Sequence, residues 1–225
     1  MGPPKTNCLR SLLYPEIFMM RQLKDLTDSQ LKDAYYTVYR EAFPPAELKP
    51  LSSMRRMTED GVYRNLALFD GDEPVAFANL WLDGDHILID YLCVPAVRRG
   101  GGLGAGLLSC LRELYSPETV FIVETEAPTG APEKDALINR RLAFYERCGA
   151  IPLGYETAIF GVHYKTVVWS PLPPDEAEIQ KRHAAFYRRR LGPDLYAEAI
   201  HIPYHRGDTI RFFEEWKEDY AHTFR

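Results

Sequence analysis

Residues 92–108 read Leu92-Cys93-Val94-Pro95-Ala96-Val97-Arg98-Arg99-Gly100-Gly101-Gly102-Leu103-Gly104-Ala105-Gly106-Leu107-Leu108. An apolar strand runs into three consecutive glycines, and these open directly into a helix with Leu103, Leu107, Leu111 and Leu114 along one face. Glycine costs the chain conformational entropy unless the backbone must bend sharply or be approached closely. A helix start carries unpaired amides and a partial positive charge. Bare amides over Gly100, Gly101, Gly102, Leu103, Gly104 and Ala105 therefore predict a cradle for a phosphate or pyrophosphate, with Arg98 and Arg99 at its mouth. The competing reading, a flexible loop without a ligand, leaves five glycines between positions 100 and 106 unexplained.

The patterns on either side decide the fold class. Before the loop, Glu16–Leu23 reads as a strand, and Thr27 or Asp28 can cap a helix whose apolar stripe is Leu31, Ala34, Tyr35, Val38 and Ala42. Phe43-Pro44-Pro45 ends that helix, and a second, weaker one fits Leu51–Glu59. Three strands follow at Val62–Phe69, Val75–Leu82 and His86–Val94, joined by Asp-Gly turns that mark antiparallel hairpins. After the loop come a helix, a buried strand (Thr119–Thr125), a helix over Glu133–Cys148 with Gly149 as its C-cap, and two closing strands at Ile151–Tyr155 and Tyr164–Trp169. This is an α/β (α+β) domain over residues 16–170, with a mixed central sheet of about six to seven strands flanked by helices. Ser170-Pro171-Leu172-Pro173-Pro174 sets off residues 171–225 as a helical C-terminal extension. Residues 1–15 read as a poorly ordered leader.

Composition narrows the function. With 27 basic and 32 acidic residues the net charge is −5, which excludes a nucleic-acid binder that works by bulk charge. No apolar run approaches the roughly 18 residues of a membrane span. Cys8, Cys93, Cys110 and Cys148 lie far apart without a C-x-x-C pair, which fits reduced thiols in a cytoplasmic protein and no metal site. His201-x-x-x-His205 has metal-like spacing but encloses Pro203. No Gly-Lys-Ser/Thr is present, so a Walker loop is excluded. Gly100-x-Gly102-x-x-Ala105, with Glu124 about 20 residues on, matches a dinucleotide fingerprint and keeps an NAD-binding oxidoreductase open, although a Rossmann domain does not begin with three antiparallel strands.

Arg99-x-x-Gly102-x-Gly104 resembles the signature of the GNAT superfamily of N-acetyltransferases. The run Arg140-Arg141-Leu142-Ala143-Phe144-Tyr145-Glu146-Arg147-Cys148-Gly149-Ala150 resembles that family's later helix, and Phe43-Pro44-Pro45-Ala46-Glu47 resembles a loop in some bacterial members. Many members have an Asn where this chain has Ile138, so that cofactor contact is not carried over. The resemblance spans about residues 16–170 and implies the GNAT acyl-CoA N-acyltransferase fold. It implies acetyl transfer from acetyl-CoA to a primary amine by direct attack in a ternary complex. The pyrophosphate would sit over Arg99–Ala105 and the pantetheine arm beside Leu92, Cys93 and Val94, with Tyr145 as the acid that protonates the leaving thiolate.

The residues themselves suggest where a base could lie. Asp90 interrupts an apolar strand, where an isolated carboxylate is costly to bury. Glu124 and Glu126 alternate onto one face of the next strand, and any of the three could take the proton of the incoming ammonium. Glu47 could line the acceptor pocket or cap the second helix. Besides the oxidoreductase, two rivals stay open: a non-catalytic acyl-CoA sensor or interaction module, and an enzyme that moves a longer acyl group. Phe212, Phe213, Trp216 and Tyr220 predict a final helix with an aromatic face, buried against the domain, against a partner chain in a homodimer, or over the acceptor site.

Overall fold

Thr27 starts the first helix with a reciprocal pair of hydrogen bonds. Its Oγ1 accepts the Gln30 amide at 3.3 Å, while Gln30 Oε1 accepts the Thr27 amide at 2.9 Å, which satisfies two otherwise unpaired donors. In the computed structural model, which describes residues 21–171, 173–209 and 211–213, this helix is α1 (Asp28–Ala34). It continues through a π-turn at Tyr35–Tyr39 to Ala42 and stops where Phe43 becomes extended ahead of Pro44. The first strand is β1 (Arg21–Asp25); the residues expected to precede it, and the expected leader, lie outside the described ones. After α2 (Leu51–Glu59) come β2 (Tyr63–Asp70), β3 (Glu73–Asp83) and β4 (His86–Cys93). Gly71 and Gly84 turn the two hairpins at φ of 63° and 64°, a region that strongly favours glycine.

Next come α3 (Leu103–Leu114), β5 (Val120–Glu126), α4 (Pro132–Arg147), β6 (Ile151–Ile159) and β7 (Val162–Trp169). The extension supplies α5 (Glu176–Arg188), α6 (Pro193–Ala199) and β8 (Ile200–His201). The described residues form one eight-stranded sheet in the order β1-β2-β3-β4-β5-β7-β6-β8. The extra strand over the expected six to seven is β8, which pairs with β6 through only two residues. Only the β4–β5 pair is parallel. Alternating side chains divide between two apolar layers. Leu88 and Ile122 pack with α1, α2 and α5 on one face, and Ile87, Ile89 and Val123 with α3 and α4 on the other.

The extension is built into this core. Asp175 caps α5 by accepting the Glu178 amide at 3.0 Å, and Phe186 and Tyr187 set their rings edge-on to Trp81, with centroids 5.6 and 5.3 Å away. The expected final aromatic helix is not formed at its first two positions. Phe212 and Phe213 lie in non-helical chain; Phe213 packs on Phe160, whereas Phe212 is exposed. Trp216 and Tyr220 fall outside the described residues. Cys93 is a buried free thiol and Cys148 a half-buried one.

Two irregularities in β4 shape the site. Ile89 lies opposite Leu80 and Tyr91 opposite Asn79, which leaves Asp90 as the extra residue of a β-bulge. The parallel ladder between β4 and β5 stops at the same place, with Ile89 opposite Val123. Beyond it β4 runs on to Cys93 and β5 to Glu126 without pairing, so the sheet parts in its middle.

Candidate active site

A cleft of about 980 Å³ occupies the parting. The start of α3 forms one portion of its wall. Gly102 is the N-cap residue with φ 77°, and no side chain caps the helix. The intrahelical ladder begins with the Gly106 amide donating to Gly102 O at 2.9 Å. The amides of Leu103, Gly104 and Ala105 precede it and have no partner in their own helix. Gly100 also has positive φ, at 88°. Gly104 serves a different need: a Cβ there would stand 3.2 Å from Cζ of Phe144, close enough that the ring would have to shift by a few tenths of an ångström. Arg98 pairs with Glu73, and Arg99 Nε donates to Val94 O at 3.0 Å.

Of the residues expected to hold a cofactor, Leu92, Cys93, Val94, Arg99, Gly100, Gly102, Leu103, Gly104 and Ala105 line the cleft. Gly101 sits in the loop without lining it. Burial pushes the Cys93 thiol up to about 12, so it stays protonated and is no nucleophile. Tyr145 also lines the cleft, in edge contact with Trp169 and tilted against Phe144. Burial raises its hydroxyl to about 12 against the opposing pull of Arg141. It therefore keeps its proton throughout the neutral range.

The loop after α1 is drawn into the cleft by Tyr91. Its hydroxyl donates to Glu47 O at 2.8 Å and accepts the Lys49 amide at 2.8 Å. Lys49 then reaches Asp90, Nζ to Oδ1 at 2.6 Å, with both side chains only 4–5% exposed. Tyr63 donates to the other Asp90 oxygen. The bulge carboxylate is thus engaged at both oxygens. Glu126 pairs with Arg141 at 2.8 Å.

The carboxylates of Glu47 and Glu124 meet only uncharged hydroxyls and a histidine. Glu47 accepts from Tyr164 at 3.0 Å. Burial raises Glu47 to about 7, the negative charge of Glu126 adds to the rise, and the Tyr164 hydrogen bond and Arg141 oppose it. This carboxyl is divided between its two forms at neutral pH, the condition in which a group both accepts and returns a proton. Glu124 accepts from His183 Nε2 and from the Tyr187 hydroxyl, each at 2.8 Å.

Nothing in the sequence singles out His183 and Tyr187. They stand four residues apart on α5, a spacing that puts both on one helix face, but their run, Lys181 to Arg190, reads as an ordinary charged surface helix. Phe160, in the turn between β6 and β7, also lines the cleft and carries a positive φ of 48°, uncommon for a residue with a side chain.

No family model matches the chain. A Bacteroides thetaiotaomicron protein, provisionally described as an acetyltransferase of the GNAT family, superimposes with a TM-score of 0.59 at 21% identity, over 78% of this chain and 96% of its own. An acetyltransferase from Thermus thermophilus superimposes at 0.51 and 15% identity, over 67% of this chain and 96% of its own. In sequence, the Bacillus subtilis (strain 168) protein YjbC, provisionally named an acetyltransferase, is 27% identical over 153 residues, 64% of this chain and 74% of its own. The chain thus has the fold of these acetyltransferases, one of them described as a member of the GNAT family.

Proposed function

We propose that this chain transfers an acetyl group from acetyl-CoA to a primary amine within a ternary complex. One observation carries the reading: a single cleft joins the bare start of α3, the parted edges of β4 and β5, the protonated Tyr145 hydroxyl and the Glu47 carboxyl. The amides of Leu103, Gly104 and Ala105, with the positive end of α3, suit a pyrophosphate, and the Arg98 and Arg99 side chains bring cationic charge to the same loop. The main chain of Leu92–Val94, which has no β5 partner, is available to hydrogen-bond a pantetheine arm. Acetyl-CoA supplies the activated thioester; the protein orients it and manages two protons.

A thiol of ordinary pKa about 8.5 is a stronger acid than a hydroxyl near 12. Tyr145 therefore serves first as a hydrogen-bond donor that stabilises charge on the leaving sulfur, and gives up its proton only as that charge develops. At the amine, Glu47 is better placed as base than Asp90, whose oxygens are taken by Lys49 and Tyr63. Glu126 is held by Arg141.

The test is release of free thiol from acetyl-CoA over a panel of amines, peptides and aminoglycosides, with melting curves in CoA and in NAD. Acetyl transfer predicts thiol release with at least one acceptor and stabilisation by CoA alone. CoA binding without thiol release from any amine would make the chain a sensor, and stabilisation by NAD alone would make it a dinucleotide enzyme.

A further inference from the structure

Helix α5 lies beyond the closing strand, yet it reaches the cleft through a continuous chain of hydrogen bonds. His183 is 0% exposed. Its Nδ1 lies 3.0 Å from the Tyr155 hydroxyl and its Nε2 2.8 Å from Glu124 Oε1. A neutral imidazole satisfies both contacts in one arrangement: Tyr155 donates to Nδ1, and Nε2–H donates to Glu124. Tyr187 donates to the second Glu124 oxygen at 2.8 Å. A carboxylate accepts about four hydrogen bonds, so these two donors fix its plane and leave acceptor positions beyond them. Glu124 and Tyr187 both line the cleft, whereas His183 and Tyr155 do not.

We propose that His183 is a positioning residue that, together with Tyr187, holds Glu124 as the anchor for the acceptor's ammonium group, making α5 part of the acceptor site. The proposal rests on the acetyl-transfer reading and deepens it. An acceptor nitrogen hydrogen-bonded to a fixed Glu124 oxygen is presented at the cleft that Glu47 also lines. A carboxylate free to rotate would lose that direction without losing its charge.

The test compares His183→Phe, His183→Gln and Tyr187→Phe with the full wild-type chain, using acetyl-CoA and the panel amine that gives the fastest thiol release. Glutamine can still donate through its amide to Glu124; phenylalanine cannot. We expect His183→Phe to raise the KM of the amine about tenfold to hundredfold, the range for one hydrogen bond to a charged group. The KM of acetyl-CoA should stay within about twofold of wild type. His183→Gln should recover most of the loss, and Tyr187→Phe should show a smaller change of the same kind. An unchanged amine KM in His183→Phe would overturn the proposal. So would equal losses for acetyl-CoA and amine with no rescue by glutamine, which mark a purely structural role. Absence of thiol release from the wild-type chain with every amine would refute the acetyl-transfer reading itself, and the proposal with it.

Discussion

Replacing Glu47 with glutamine should remove activity and stabilise the protein at the same time. The Glu47 carboxyl titrates near 7 in the folded chain against an ordinary 4.5. Between those values the folded state binds more protons than the unfolded one, so stability falls as pH rises, and the loss is complete above about 7. At about 1.36 kcal/mol per pH unit over that interval, burial of the ionised form costs as much as ~3.4 kcal/mol at pH 8 and less than about 1 kcal/mol at pH 5. Glutamine copies the protonated shape and carries no charge. Urea melts of wild type and Glu47→Gln should therefore give similar stabilities at pH 5, with the variant more stable by roughly 2–3 kcal/mol at pH 8. The acetyl-transfer rate of the wild type should rise with pH through about 7, where the carboxylate forms. The variant should lose about 10²-fold or more in kcat together with that rising limb. A variant no more stable at pH 8 than at pH 5, relative to wild type, would refute the desolvation account. A variant with the wild-type pH limb would place the base elsewhere.

Other outcomes follow from the same geometry. Gly102→Ala puts a side chain at φ 77° in open space, so chemical denaturation should show a loss of about 1–2 kcal/mol from backbone strain alone. Gly104→Val must push the Phe144 ring away, and calorimetric titration should show CoA affinity reduced more than about tenfold, by at least one amide contact. Tyr145→Phe keeps the ring contacts with Trp169 and Phe144, so steady-state kinetics should show kcat lowered by about 10²-fold with little change in either KM. Lys49→Met strips a buried carboxylate of its cation; the expected loss of about 3–5 kcal/mol should appear as a melting point lower by roughly 10 °C. Adding Asp90→Asn should restore most of it.

The meander was legible because Asp-Gly turns and period-2 runs are local signals, and so was the glycine turn that opens α3, whose composition states its backbone demand. The paradox at Asp90 could also be read, as a carboxylate among Ile87, Leu88, Ile89 and Tyr91. Its resolution could not, since the cation that neutralises it stands 41 positions earlier and arrives only through the Tyr91 contacts to the Glu47–Lys49 loop. The bulge left no trace in the pattern, because an extra residue is defined by the strand opposite. β8 has two residues, too few to show any period. The link from α5 to Glu124 was hidden for a further reason: a helix that buries His183 among lysines and arginines reads the same as one that exposes it.

A single unmatched residue has consequences well beyond its own position. Were Asp90 deleted, Ile89 and Tyr91 would follow one another opposite Leu80 and Asn79, Tyr91 and Cys93 would keep the layer they already occupy, and β4, freed of the bend that the bulge gives it, could run on beside β5 towards its tip. The sheet would then heal shut where it now gapes. In that sense the groove is a dislocation in an otherwise regular lattice, and the chemistry proposed for this fold is lodged in the defect.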